Sequence, residues 1–251
     1  ALVVGNYQNS ATFGSTTLSN SGSSDIFVAK INATGSWLWA TKAGGSSSEL
    51  ARGIDVDSNG AGYVTGGFWG SASFGTTTLT ASSTSASDMF VAKISSSGSW
   101  QWAVRGGGNS HDDGFDIQFD SGDVYITGEF EGTATFGSTS LSSTNNYDAF
   151  VTKLDQNGTW QWAIKASGNS FLTGTRLTLT SSSIHVTGSF TGTSTFGSSS
   201  LSSSGSRDIY LAELSLSGSW QSAEKIGSSG NDRPFTIFSN ANDSIYLGGY
   251  V

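Results

Sequence analysis

Few side chains in this sequence have the chemistry of catalysis, and they sit in scattered places. His111 stands in GGNSHDDG beside Asp112 and Asp113, a His-Asp-Asp run that can hold a metal or move a proton. The other histidine, His185, lies in IHVTG, where related segments carry Tyr63, Tyr125 and Tyr246, so it reads as one ring replacing another in a repeated column. Carboxylates come in pairs at Asp55/Asp57, Asp112/Asp113 and Asp120/Asp123, but in turns or loops, not facing each other across a sugar as glycoside hydrolysis requires. DSNG at 57–60 and DSGD at 120–123 resemble fragments of calcium loops. Both lack the full spacing and the closing Glu, and they read equally as hairpin turns. Serine is abundant, yet no Gly-x-Ser-x-Gly elbow precedes a suitable Asp and His. The GGG at 106–108 does not carry a strand into a helix, so it is no phosphate loop. With no cysteine in the chain, thiol catalysis and disulfides are excluded. The expectation is a protein that is not an enzyme, with no cofactor required and calcium the one to test for.

The elements that must position these residues announce themselves by repetition. Phe-Gly recurs at Phe13-Gly14, Phe74-Gly75, Phe136-Gly137 and Phe196-Gly197. An Asp recurs at Asp25, Asp88, Asp148 and Asp208, opening DIFVAKI, DMFVAKI, DAFVTKL and DIYLAEL. GSWLWA, GSWQWA, GTWQWA and GSWQSA follow. A further segment, the YVTGGF type, appears five times. Each repeat therefore offers four short strands, A to D, bounded by Gly, Ser, Asp and Asn. The A–B and C–D links are tight turns, whereas the B–C link with its Phe-Gly and the D–A link, such as GGSSSELA at 44–51, read as long loops on the opposite side. Asp and Lys of D-x-x-x-x-K lie five apart and point to opposite strand faces, so the Asp is expected to bond nearby backbone donors.

The fold class that follows is all-β: a β-propeller of four-stranded antiparallel blades, with about 17 strands. The 251 residues form a single domain, with repeats near 1–62, 63–124, 125–183 and 184–244 and a partial fifth at 245–251. The extra copy of strand B leaves two arrangements open, a closed four-blade ring or a segment of a larger propeller. Closure would set Phe235–Phe238 beside Leu2–Gly5. A β-helix fits less well, because its rungs are shorter. The Gly after Val/Thr in strand B (Gly5, Gly66, Gly128, Gly188, Gly248) is expected to permit close approach between blades.

The segments DMFVAKISSSGSWQWAVRGGG, GIDVDSNGAGYVTGGF and DSGDVYITGEF resemble the bacterial and archaeal β-propeller repeat known as SBBP. The resemblance covers nearly the whole chain. It implies the propeller fold and a large secreted or surface protein, and it implies no catalytic residues. Glu213 in place of Lys, Ser222 in place of the second Trp, and Pro234 in strand A depart from the pattern.

Composition agrees with a secreted or surface location. The net charge of −8 disfavours nucleic acid and anionic membranes as partners, and no apolar run is long enough to span a bilayer. Asn32, Asn157 and Asn242 open N-glycosylation patterns, a weak signal in a chain so rich in Ser and Thr. The paired Trp columns (37/39, 100/102, 160/162, 220) read as packing between blades, or alternatively as stacking surfaces for sugar. Trp69 differs: its column holds Gln8, Glu131, Thr191 and Val251, so no packing rule asks for Trp there. The D–A loops vary between repeats, which makes Glu49, His111, Asp112, Asp113, Phe171, Asp232 and Arg233, with Trp69 nearby, the candidate ligand-binding residues. The functional expectation is a non-catalytic extracellular or cell-surface propeller acting in binding, adhesion or as a scaffold, with a protein or glycan partner. A lectin using loop and Trp residues is the alternative, and a hydrolase is a more distant one.

Overall fold

The computed structural model describes residues 1–251, except for the side chains of residues 144 and 145. Among the described residues every regular element is a β-strand, 23 in all, and the pairings between these strands are antiparallel. The first sheet holds β1 (Leu2–Tyr7), β4 (Asp25–Ile31) and β5 (Trp37–Gly45); the hairpin of β2 (Ser10–Phe13) and β3 (Thr16–Ser19), which links β1 to β4, is a two-stranded sheet of its own. The second holds β6 (Glu49–Val56), β7 (Gly62–Phe68), β10 (Asp88–Ile94) and β11 (Trp100–Gly108); the hairpin of β8 (Ser71–Phe74) and β9 (Thr77–Thr80), which links β7 to β10, pairs with β5 instead. The third is β12 (Asp112–Asp120), β13 (Asp123–Phe136), β14 (Thr139–Asp155) and β15 (Trp160–Gly168). The fourth is β16 (Leu172–Leu179), β17 (Ser183–Phe190), β20 (Asp208–Ser215) and β21 (Trp220–Ile226); the hairpin of β18 (Thr193–Phe196) and β19 (Ser199–Ser202), which links β17 to β20, pairs with β15 instead. A two-stranded fifth sheet pairs β22 (Arg233–Ser239) with β23 (Ile245–Tyr250).

The B–C link is not a loop. Its Phe-Gly marks a hairpin, β2–β3, β8–β9 and β18–β19, and in the third sheet the same hairpin continues β13 into β14. The glycine makes this turn: Gly75 has φ +62°, which a side chain would resist. Each hairpin lies along the last strand of the sheet before it, by two residue pairs: Gly44↔Ser73 and Gly45↔Ala72, Gly107↔Thr135 and Gly108↔Ala134, Ser167↔Thr195 and Gly168↔Ser194. Part of an exposed sheet edge is thereby covered. The D–A link is short as well, because β5 runs to Gly45 and β6 begins at Glu49.

The apolar core lies between sheets. Ile26 and Val28 of the first sheet pack with Val64, Phe68 and Phe90 of the second. Tyr63, Met89 and Val91 of the second pack with Ile117, Ile126 and Phe150 of the third. Tyr125 and Val151 of the third pack with Leu177, Ile184 and Tyr210 of the fourth. An inner sheet thus buries both faces, which explains why its strands do not alternate strictly between apolar and polar. Within each repeat the hairpin Phe stacks on the aromatic of strand C and on the first Trp of strand D. Phe74 lies 4.9 Å from Phe90 and 5.3 Å, edge-on, from Trp100; Phe136 and Phe196 repeat this arrangement. Such a ring, fully buried, contributes roughly 2–3 kcal/mol.

The glycine of strand B makes its close approach inside its own sheet. Each strand A bulges, between Ala51/Gly53, Gly114/Asp116 and Gly174/Arg176, and the bulge pushes a carbonyl inward. A methyl group on Gly66 would fall 1.8 Å from the Leu50 carbonyl oxygen. Side chains then join one strand A to the next. The Phe119 N–H donates to Asp55, the Leu177 N–H to Asp116, the Leu179 N–H to Gln118 and the Ser239 N–H to Thr178. Among the described residues the ends are not joined. β22 pairs only with β23 and β1 only with β4, so the pairing of Phe235–Phe238 beside Leu2–Gly5 is not formed. Tyr246, whose counterparts Tyr63 and Tyr125 are buried, is 48% exposed.

Candidate functional site

The residue that begins each strand C is the centre of a repeated buried polar cluster. Asp25, Asp88, Asp148 and Asp208 are 0–1% exposed. The expected backbone bonds are present: the N–H groups of Ser21, Ser82 and Ser204 donate to Asp25, Asp88 and Asp208. A cation from strand D completes each cluster. Lys42 lies 3.2 Å from Asp25, Lys165 lies 3.1 Å from Asp148, Lys225 lies 3.7 Å from Asp208, and Arg105 pairs with Asp88.

A second acid joins three of the four clusters. Glu49 and Asp112 begin strand A and Asp232 immediately precedes it; each is 0% exposed, and each accepts an N–H from four residues earlier: Gly45 at 2.9 Å, Gly108 at 2.6 Å and Ser228 at 2.7 Å. A glycine makes room for the two carboxyls. A methyl on Gly44 would come within 2.7 Å of Asp25 Oδ1 and 2.8 Å of Glu49 Oε2, and Gly107 and Gly227 are crowded in the same way. Position 172 holds Leu instead of an acid, and Ser167 stands where the glycine would be. There Asp148 Oδ1 accepts the Gly168 N–H directly, at 2.9 Å.

Two carboxylates and one cation leave one excess negative charge in a site closed to water, which is costly. Asp25, Glu49, Asp88, Asp112 and Asp208 each keep one buried oxygen without a hydrogen-bond donor. In the Asp25/Glu49 and Asp88/Asp112 pairs, one proton supplies a donor and neutralises the pair. Burial, with Asp88 and Asp113 nearby, pushes Asp112 up to about 8. Burial, with Asp25 alongside, pushes Glu49 up to about 7 against the bond from Gly45. Burial raises Asp88 as well, against the opposing pull of Arg105. The Asp112 carboxyl is therefore protonated at neutral pH. These acids hold strands A, C and D together at one end of the sheet.

The remaining candidates lie in other surroundings. Asp113, 9% exposed, bonds Arg52 at 3.1 Å, and Arg52 lies 4.7 Å over the Phe115 ring. Glu129, which sequence reading passed over, stands close to this pair, and burial together with Asp113 pushes it up to about 7. Phe171 is sandwiched: Arg207 lies 4.1 Å over its ring and Tyr147 meets it edge-on at 6.4 Å. His111 accepts the Ser87 N–H on Nδ1, at 3.2 Å, and its ring stands 6.2 Å from that of Trp69. Arg233 is exposed. Among the described residues, no three His, Asp or Glu side chains gather as a metal ion would require. In the turn DSNG, Asp57 Oδ1 accepts the N–H groups of Asn59 and Ala61, the pattern of an ordinary hairpin turn.

The Trp columns join neighbouring sheets. The indole N–H of Trp100 donates to the Lys42 carbonyl and that of Trp220 to the Lys165 carbonyl, each on the preceding sheet. The N–H groups of Trp39 and Trp102 donate to Ser96 and Gln156, in the C–D turns of the following sheet.

Two clefts open between the first three sheets, one on each side. A cleft of about 550 Å³ is lined by D–A and B–C residues, among them Ser46, Ser47, Ser48, Gln8 and Trp69. A cleft of about 410 Å³ is lined by turn residues, among them Asp57, Asn59, Asp120 and Gln156. The two kinds of connection thus lie on opposite sides, as the turn chemistry implied. No family model matches the chain, and neither does any curated protein. Among the described residues, no helix is long and apolar enough to cross a membrane.

Proposed function

We infer that the chain is a non-catalytic binding scaffold of the extracellular space or cell surface, built from the blades of a β-propeller. One observation carries this reading: the ionisable groups that recur with the repeat are placed inside the sheets. Asp25, Asp88, Asp148 and Asp208, their cations, and Glu49, Asp112 and Asp232 all have structural partners. The face-to-face packing of successive four-stranded sheets and the SBBP-like repeats support the propeller arrangement. Side chains that break the repeat, such as Trp69, His111 and Phe171, lie on the D–A and B–C side, where a rigid scaffold presents variable contacts.

The test replaces 109–113 or 230–233 on one side and 57–60 or 120–123 on the other. Binding to an array of glycans and surface proteins is then measured. Loss confined to the first pair supports the reading. Equal loss from both sides, or turnover of a substrate that survives exhaustive purification, overturns it.

A further inference from the structure

The cleft of about 550 Å³ is of a size that holds small ligands. It lies where the first and second sheets meet. Gln8, Ser46, Ser47, Ser48 and Thr84 belong to its polar lining, and Trp69 is its aromatic lining. Its chemistry is unusual for a chain with 19 acidic residues: no charged side chain lines it. The side chains of Gln8, Ser46, Ser47, Ser48 and Thr84 make no hydrogen bond to the protein among the described residues, and neither does the Trp69 indole N–H. Hydroxyls both donate and accept, and the amide adds two donors and an acceptor. The lining is therefore a set of open polar partners around one aromatic face.

Trp69 is not placed by the repeat, and its counterparts are Gln8, Glu131 and Thr191. It is nonetheless held. Its backbone N–H donates to the Ser48 carbonyl at 3.1 Å, and its ring meets that of His111, itself fixed by Ser87. A fixed, half-buried indole loses little entropy on binding, and it offers both an apolar face and an N–H.

We propose that this cleft binds a neutral saccharide, with a pyranose ring stacked on Trp69 and its hydroxyls met by Ser46, Ser47, Ser48, Gln8 and Thr84. A pyranose matches both parts of the lining, since its C–H face is apolar and its rim is made of hydroxyls. The absence of charge in the lining disfavours phosphates, sialylated sugars and acidic peptides. The proposal rests on the reading of the chain as a binding scaffold and adds the ligand class and the residues.

The experiment is an array of neutral and charged glycans, followed by calorimetric titration with methyl pyranosides. Trp69→Ala and Ser46→Asp are compared with the unaltered chain. Ser46 is exposed, so its substitution leaves folding intact, and thermal melts check Trp69→Ala. The expected result is binding of neutral saccharides that falls at least ten-fold in each variant. Saccharide binding that survives both substitutions overturns this cleft and leaves the scaffold reading standing. Loss of a protein ligand on replacing 109–113, with no saccharide bound anywhere on the array, overturns the ligand class. Preference for anionic glycans overturns it as well.

Discussion

Replacing Asp112 by Asn makes the protein more stable near neutral pH and leaves it unchanged in acid. Asp112 is 0% exposed, accepts the Gly108 N–H and shares its space with Asp88. Its carboxyl ionises near 8 in the fold, and near 3.9 in an unfolded chain. Between those values the folded state keeps a proton that the unfolded state releases. This contribution is fully present below about pH 4 and is lost as the pH rises toward 8. The loss runs at about 1.4 kcal/mol per pH unit, so between pH 5 and 7.5 it amounts to about 3 kcal/mol. An Asn amide reproduces the protonated acid: its oxygen accepts from Gly108 and its NH₂ donates to Asp88. Titrating groups away from the Asp88/Asp112 pair are common to both proteins and cancel in the comparison. Denaturant unfolding, followed by Trp fluorescence at pH 5 and 7.5, should show an advantage of Asp112→Asn over the parent that is about 3 kcal/mol larger at the higher pH than at the lower, and that vanishes below about pH 4. A difference that stays constant with pH would refute the shared proton, and so would a variant less stable at pH 7.5 than the parent.

Three further outcomes follow from the same structure. Leu172→Asp combined with Ser167→Gly builds the missing fourth acid pair beside Asp148 and Lys165; its cost relative to the parent should rise by about 1.4 kcal/mol per pH unit between pH 5 and 7, read by the same unfolding series. Gly66→Ala drives a methyl to 1.8 Å from the Leu50 carbonyl and should cost about 1–3 kcal/mol, lowering the thermal midpoint by several degrees. His185 faces Glu213 across β17 and β20, where the other sheets set Tyr63 against Lys93 and Tyr125 against Lys153; His185→Tyr with Glu213→Lys should show favourable coupling of about 0.5–1 kcal/mol in a double-mutant cycle.

Repetition made much of this legible in advance. Strands of the YVTGGF, DMFVAK and WQWA types fall where turn residues and β-formers place them, and the tight turns share one side. The hairpin escaped notice because its strands, such as SASF and TTLT, are small and polar. Alternation was nevertheless present in SASF, with Ala72 and Phe74 buried and Ser71 and Ser73 exposed. The acid pairs escaped for a different reason. Glu49, Asp112 and Asp232 read in the sequence as residues of variable loops, because no single residue type fills the column. The signal lay in spacing: an acid five residues after the glycine of Gly44, Gly107 or Gly227, and both missing together at Ser167 and Leu172. The cation column Lys42, Arg105, Lys165 and Lys225 was equally visible, yet only the sheet register brings it beside the Asp of strand C.

Repetition also separates structural chemistry from recognition. A residue present in every copy meets the same neighbours in every copy, so its role is one that each sheet needs. The Asp and the cation meet that description, and the buried Thr65, Thr127 and Thr187 of the three inner copies, whose hydroxyls donate to the Phe90, Phe150 and Tyr210 carbonyls, come close to it. A binding site that distinguishes one ligand needs side chains the other copies lack, fixed by neighbours that do not depend on them. Trp69 meets both conditions: its column does not specify an indole, and Ser48 and His111 hold it in place. His111 meets them in part, since Ser87, a buried residue of the second sheet, receives its ring. The two rings stand together beside a cleft whose hydroxyls have no partner within the protein and whose lining carries no charge, and that coincidence makes this rim the place to look for a ligand first.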